Sequence, residues 1–247
     1  MLYRVEGIVI RSMDYGENNK IVTLLCDSGG KAGVLVRGAK KVKSRYGSLS
    51  QPFTYGEFQF IRGKGLGTLQ HGEMIQSHHA LRGQLDLSAF ASYIAELTDR
   101  TLQEDESSAF LFQQLKACFA AMQEGKDPAI VSHLYEMRIL ELAGYSPELE
   151  ECVQCGNRVG PFVLSGGAGG ILCSRCRHRD PGALSLGETA HKLLRLFQRM
   201  DIRRLGNIAV SPETKAELKA SMRSLMDHQL GLQLKSRGFL DQLDKLV

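Results

Sequence analysis

Over the first 80 residues, apolar and β-branched positions come in short runs at Tyr3–Ile10, Lys20–Cys26, Gly33–Gly38, Phe53–Arg62 and Thr68–Gln76. Turn-rich breaks separate them at Asp14–Asn19, Asp27–Gly30, Lys43–Pro52 and Gly63–Gly67. Short apolar runs punctuated by Gly, Asn, Asp and Ser predict strands joined by turns. Five such strands, with one longer basic break between the third and fourth, fit a small closed barrel. The five-stranded Greek-key barrel of the oligonucleotide-binding (OB) type is the leading form, and an SH3-like barrel would give nearly the same pattern.

From about residue 84 the period becomes helical. Leu87, Phe90, Ala91, Ile94 and Leu97 share one face, and Phe110 or Leu111, Leu115, Cys118, Phe119 and Met122 form a second stripe that Gly125 ends. Asp127 as N-cap, Pro128 in the first turn and Gly144 past the end frame a third helix. That helix is apolar nearly all round, as the centre of a bundle would be. Ser185-Leu186-Gly187-Glu188 reads as a capping box opening a helix whose apolar positions are Leu186, Ala190, Leu193, Leu194, Phe197 and Met200, and Ser211-Pro212 opens a last long one. The pattern as a whole predicts an α+β chain: an OB-type barrel over 1–80, then a helical domain over 81–247 with a compact insert at about 150–180.

Charge sharpens this division. Residues 1–80 carry a net charge of +5, residues 81–150 −7, residues 151–180 +2 and residues 181–247 +4. A basic front on a barrel points to polyanionic partners. No apolar run reaches the roughly 18–20 residues of a membrane helix, and the N-terminus lacks the layout of a signal peptide. The expected compartment is the cytoplasm, where clustered cysteines are more often metal ligands or redox groups than structural disulfides.

Cys152-x-x-Cys155 and Cys173-x-x-Cys176, with 17 residues between the pairs, have the spacing of a four-cysteine zinc site. Two such knuckles complete a tetrahedron, so one structural Zn2+ is expected, with no open position for catalysis. Phe162–Leu164 and Ile171-Leu172 would form a small hairpin around the glycines at 166–170, and the metal would supply the folding energy of so short a module. His178 could substitute for a thiolate but is not needed. Cys26 and Cys118 read as buried core thiols.

The segment from Arg37 to Tyr46 contains Arg37, Lys40, Lys41, Lys43 and Arg45 and no acid, with Lys31 just upstream. On a barrel this run is a candidate for phosphate contacts, while Tyr46, Phe53 or Tyr55 could stack on bases. Gly63-Lys64-Gly65-Leu66-Gly67 lacks the pattern of a phosphate loop and reads as a turn, with Arg62 and Lys64 adding to the basic face. His78-His79 reads as surface. Asp105-Glu106 and Glu148, Glu150 and Glu151 read as exposed acids at helix ends. No catalytic constellation is found, which argues against an enzyme.

Segments throughout the chain resemble the RecO family of bacterial DNA repair proteins. They include Glu6–Arg11, Asp14–Asn18, Ile21–Leu25, Val36–Lys40, Leu49–Phe53, Gly63–Leu69, Leu142–Pro147 and Leu234–Arg237. The resemblance implies an N-terminal OB domain and a helical domain that in many members holds the zinc module. It also implies a recombination mediator, not an enzyme, that binds single- and double-stranded DNA and anneals complementary strands. The implied partners are RecR and the C-terminal tail of single-stranded-DNA-binding protein (SSB), with RecA loaded indirectly and the nucleoid as the place of action. Lys235 and Arg237 are candidates for a basic rim to the SSB-tail site. A zinc-ribbon RNA-binding accessory protein of transcription or translation is the alternative reading.

Overall fold

The computed structural model describes residues 1–28, 30–103 and 108–243; the expectation for Asp105-Glu106 lies outside them. The strands are β1 (Leu2–Tyr15), β2 (Asn19–Cys26), β3 (Gly30–Val36), β4 (Tyr55–Ile61), β5 (Gly67–Gln76), β6 (Phe162–Ser165), β7 (Gly170–Cys173) and β8 (Leu184–Leu186). The helices are α1 (His79–Gly83), α2 (Leu85–Thr101), α3 (Ala109–Gln123), α4 (Pro128–Leu142), α5 (Glu188–Arg199), α6 (Pro212–Gln229) and α7 (Lys235–Leu243). Two compact units result: residues 1–124 with 234–247, and residues 125–233.

In the first unit β1–β5 close into a barrel in the order β1-β2-β3-β5-β4. Neighbours are antiparallel except β3 and β5, which meet in parallel at Val34↔Gly67 and Leu35↔Thr68. This is the Greek-key closure of an OB-type barrel, which decides the choice that strand number leaves open. Burial alternates along β3, so Ala32, Val34 and Val36 face inward with Val9, Val22, Leu24, Phe58 and Phe60. Leu49, from the long β3–β4 connection, joins the same core. It lies over Gly56 and Gly72, where a Cβ at either position would collide with it or with a facing strand carbonyl.

Helix α2 packs along β1 and α7, burying Leu87, Ala91, Ile94 and Leu97. Helix α3 is capped by Ser108 and buries Leu111, Leu115, Cys118, Phe119 and Met122, leaving Phe110 exposed. His78 is not on the surface. It is 1% exposed, in the left-handed region at φ 49°, with Nδ1 against Gln123 Oε1 and its ring edge-on to Phe119. The break between β5 and α1 folds under the helices, and neighbouring histidines in such a turn need not share an environment.

In the second unit α4 is capped by Asp127 and buried at every position from Ile130 to Leu140, including His133, Glu136 and Arg138. The Arg138 guanidinium donates to Phe197 O (3.0 Å), Gln198 O and Glu141 Oε2 (2.6 Å), satisfying carbonyls at the end of α5. The capping box expected at Ser185–Glu188 does not form. Ser185 and Leu186 are strand residues paired with Val163 and Phe162, and Gly187 is the N-cap of α5, its N–H donating to Glu217 Oε2 (2.9 Å). Sheet pairing has taken the serine that a helix cap would have used. Ser211 does cap α6, accepting from Thr214 N–H.

Candidate metal centre and nucleic-acid interface

The two CxxC pairs come together on the small sheet β7-β6-β8. The first knuckle turns on hydrogen bonds from Cys155 N–H (3.2 Å) and Gly156 N–H (2.8 Å) to Cys152 O, and Gly156 takes φ +70°, which a side chain would resist. The second extends β7, with Cys176 N–H donating to Cys173 O (2.9 Å). Cys152, Cys173 and Cys176 pack with Leu172, Phe162 and Val163. Phe162 lies edge-on to His191, whose Nε2 sits 2.7 Å from Leu149 O.

All four Sγ atoms lie within 4.8 Å of one another, and Cys155 Sγ and Cys173 Sγ are 3.7 Å apart. A tetrahedron with Zn–S of about 2.3 Å requires S···S of about 3.8 Å. Burial raises the Cys152 thiol, but N–H donors from Cys173, Gln154 and Cys155 outweigh it and bring the group down to about 6. Burial and the neighbouring thiols push Cys176 up to about 12. Hydrogen bonds likewise lower Cys173 against burial, while Cys176 resists adding negative charge to the cluster, a conflict that a divalent ion at the centre would remove. The donor set suits a metal ion and offers it four protein ligands. His178 lies outside the cluster, exposed, with Nδ1 2.8 Å from Arg175 O. The other two cysteines are core thiols as expected, with Cys26 pushed up to about 12 by burial and Cys118 also raised.

The basic residues of the barrel fall into separate groups. Arg37, Lys41, Lys43, Arg45 and Lys64 are exposed. Arg45 lies over the Tyr46 ring, 5.0 Å from its centroid, and Tyr46 is itself half-buried, packing on the barrel core and donating to Gln70 O (3.2 Å). Arg62 Nε donates to Gly65 O (2.7 Å), holding the β4–β5 turn. Lys40 Nζ is 2.6 Å from Asp14 Oδ2, which holds that carboxyl below the usual carboxylate range. Lys31 turns to α2 and donates to Asp99, at its backbone O and at Oδ1 (3.1 Å), with both side chains 13% exposed.

Two of the three aromatic candidates for base stacking are inside the first unit. Phe53 (φ 69°) is buried edge-on to Phe119, and Tyr55 is buried edge-on to Phe112, with Lys116 Nζ 4.1 Å from its ring centroid. Neither can stack on a base. Both stand where α3 covers the barrel, and only that long-range packing removes them from solvent. Lys235 is exposed at the start of α7, where its N–H and that of Ser236 donate to the Glu96 carboxylate at 3.1 and 2.8 Å. Arg237 lies on the same helix, half-buried. The three acids of segment 148–151 do not sit at helix ends. Glu148 accepts from Glu150 and Glu151 N–H, Glu150 pairs with Arg195 and Arg199, and Glu151 pairs with Arg158.

A closed OB-type barrel, helices and a paired-knuckle thiol site together define an OB-fold protein with a cysteine cluster suited to a metal ion. Two family models divide the chain between them: "Recombination protein O N terminal" matches residues 1–78, and "Recombination protein O C terminal" matches residues 82–238. The chain is 44% identical over 246 residues to DNA repair protein RecO of Bacillus subtilis (strain 168), covering 100% of this chain and 96% of that protein. It is 42% identical over 246 residues to the RecO of Halalkalibacterium halodurans, covering 100% and 97%. The chain belongs to the RecO family of DNA repair proteins. Among the described residues, no helix is long and apolar enough to cross a membrane.

Proposed function

We propose that this protein is a non-enzymatic recombination mediator that binds single- and double-stranded DNA and anneals complementary strands. The observation that carries this is the exposed basic loop after β3: Arg37, Lys41, Lys43 and Arg45 project from an OB-type barrel in a segment without an acid. Cationic side chains there neutralise phosphates on two strands and lower the repulsion that opposes pairing, while base pairing supplies the energy. Lys40 takes part by exchanging Asp14 for phosphate, and Lys64 and Arg62 contribute from the β4–β5 turn. Lys31, turned to Asp99, contributes least. Family membership supports RecR and the SSB tail as partners, action at the cytoplasmic nucleoid, and loading of RecA onto SSB-coated strands. In this reading residues 1–80 are the DNA-binding domain, residues 81–247 hold the SSB-tail site with Lys235 at its basic rim, and the metal is one structural zinc.

The test is Lys41→Glu, Lys43→Glu and Arg45→Glu combined, assayed by oligonucleotide annealing and by the salt dependence of single-strand affinity. Each single-strand phosphate contact contributes a slope of about −0.7, so the slope should flatten by about 2 and annealing should fall. Unchanged affinity and slope would place the DNA path elsewhere.

A further inference from the structure

The metal module carries a second basic surface that the barrel loop does not account for. After Cys173 the chain reads Ser174-Arg175-Cys176-Arg177-His178-Arg179, with three arginines, no acid and no apolar side chain apart from the cysteine. The backbone holds this run in a compact shape. Cys176 N–H donates to Cys173 O (2.9 Å), Arg179 N–H to Cys176 O (3.0 Å) and Asp180 N–H to Arg177 O (3.2 Å). Arg175, Arg177 and Arg179 are all exposed.

The acids of the module are occupied elsewhere. Asp180 accepts from the Ser165 hydroxyl and from Gly182 N–H (2.9 Å), which holds it below the usual carboxylate range. Glu150 is paired with Arg195 and Arg199, and Glu151 with Arg158. Three guanidinium groups on a hydrogen-bonded turn thus face solvent with no acid of the described residues paired to them, and a guanidinium fork matches phosphate oxygens. An acidic peptide with an apolar anchor would need an apolar seat, which segment 174–179 does not provide. A nucleic-acid backbone needs none.

We propose that Arg175, Arg177 and Arg179 form a second single-strand phosphate-binding surface, so that each compact unit of the chain has its own contact with nucleic acid. This rests on the DNA-binding reading above. It gives the metal module a task beyond its own folding, namely holding three cations in fixed register.

The experiment uses the full chain with Arg175→Gln, Arg177→Gln and Arg179→Gln combined. It measures affinity for an oligo-dT strand across a salt series, together with zinc content. The expected result is a slope flatter by about 2 with one equivalent of zinc retained. An unchanged slope overturns the proposal. So does loss of zinc, which would show that the arginines serve to offset the charge of the thiolate cluster. Unchanged oligo-dT binding with weakened binding of an acidic peptide overturns it in favour of a protein partner. If the wild-type chain fails to bind oligo-dT, the DNA-binding reading itself fails. If the barrel-loop variant flattens the slope and the arginine variant does not, only this inference does.

Discussion

Lys31 separates two roles that a basic residue on a barrel can have, and Lys31→Met tests which one it has. Its ammonium donates to the Asp99 backbone O and to Oδ1 at 3.1 Å, and both side chains are 13% exposed. Hydrogen bonds to a charged group are worth about 1.5–3 kcal/mol, and leaving a buried acceptor without a partner costs a similar amount. Arg11 also pairs with Asp99, at 3.3 Å, and would still compensate the carboxylate from its more exposed position. The loss should therefore lie near the lower end, about 2 kcal/mol, because Met keeps the packing of the stem. For a chain of this size that is a fall in Tm of roughly 4–8 °C. Thermal unfolding by circular dichroism reads it directly. Because Lys31 is engaged with α2, the salt slope of single-strand binding should stay within about 0.3 of wild type, where a lost phosphate contact would change it by about 0.7. Lys41→Met should show the reverse: Tm unchanged, since an exposed loop charge contributes little, and a flatter slope. Unchanged Tm with a flattened slope in Lys31→Met would refute the assignment and return Lys31 to the DNA surface.

Two further outcomes follow from the metal centre and from the docking of α7. Cys173→Ser removes a ligand and a member of the module's small core, so elemental analysis should show less than one metal per chain and the second unit should unfold at lower temperature; full metal content would refute the four-thiol site. Burial raises the Glu96 carboxyl, but the Ser236 hydroxyl and the N–H groups of Ser236 and Lys235 outweigh it and hold the group below its ordinary value. A depressed folded value means that its contribution is full above the ordinary carboxylate range and is lost as pH falls through the folded value. Protection of residues 235–243 against hydrogen exchange, corrected for intrinsic rate, should therefore drop in acid. Glu96→Gln should show reduced protection already at pH 7 with little further change, and equal protection in the two proteins would refute this.

The features legible in the sequence are those with a local physical cause. Short apolar and β-branched runs between turn residues mark the five strands because strand-forming side chains and turn formers act within their own segments, whatever the strand pairs with. Asp127-Pro128 and Ser211-Pro212 mark helix starts because a cap needs only its own first turn. The knuckle spacing marks the metal site because two thiols and a tight turn fit within four residues. Tertiary structure decided what depends on distant partners. The parallel meeting of Val34 with Gly67 distinguishes the OB-type closure from other barrels. Lys31 meets Asp99 across 68 residues, and Phe53, Tyr55 and His78 are buried under α3, with nothing in their own segments to mark it. Ser185 had the local signature of a cap and was taken by β6 instead. A side chain's type and spacing are written locally, but whether a cation faces solvent or a carboxylate is settled by which elements pack together, and that is a property of the whole fold.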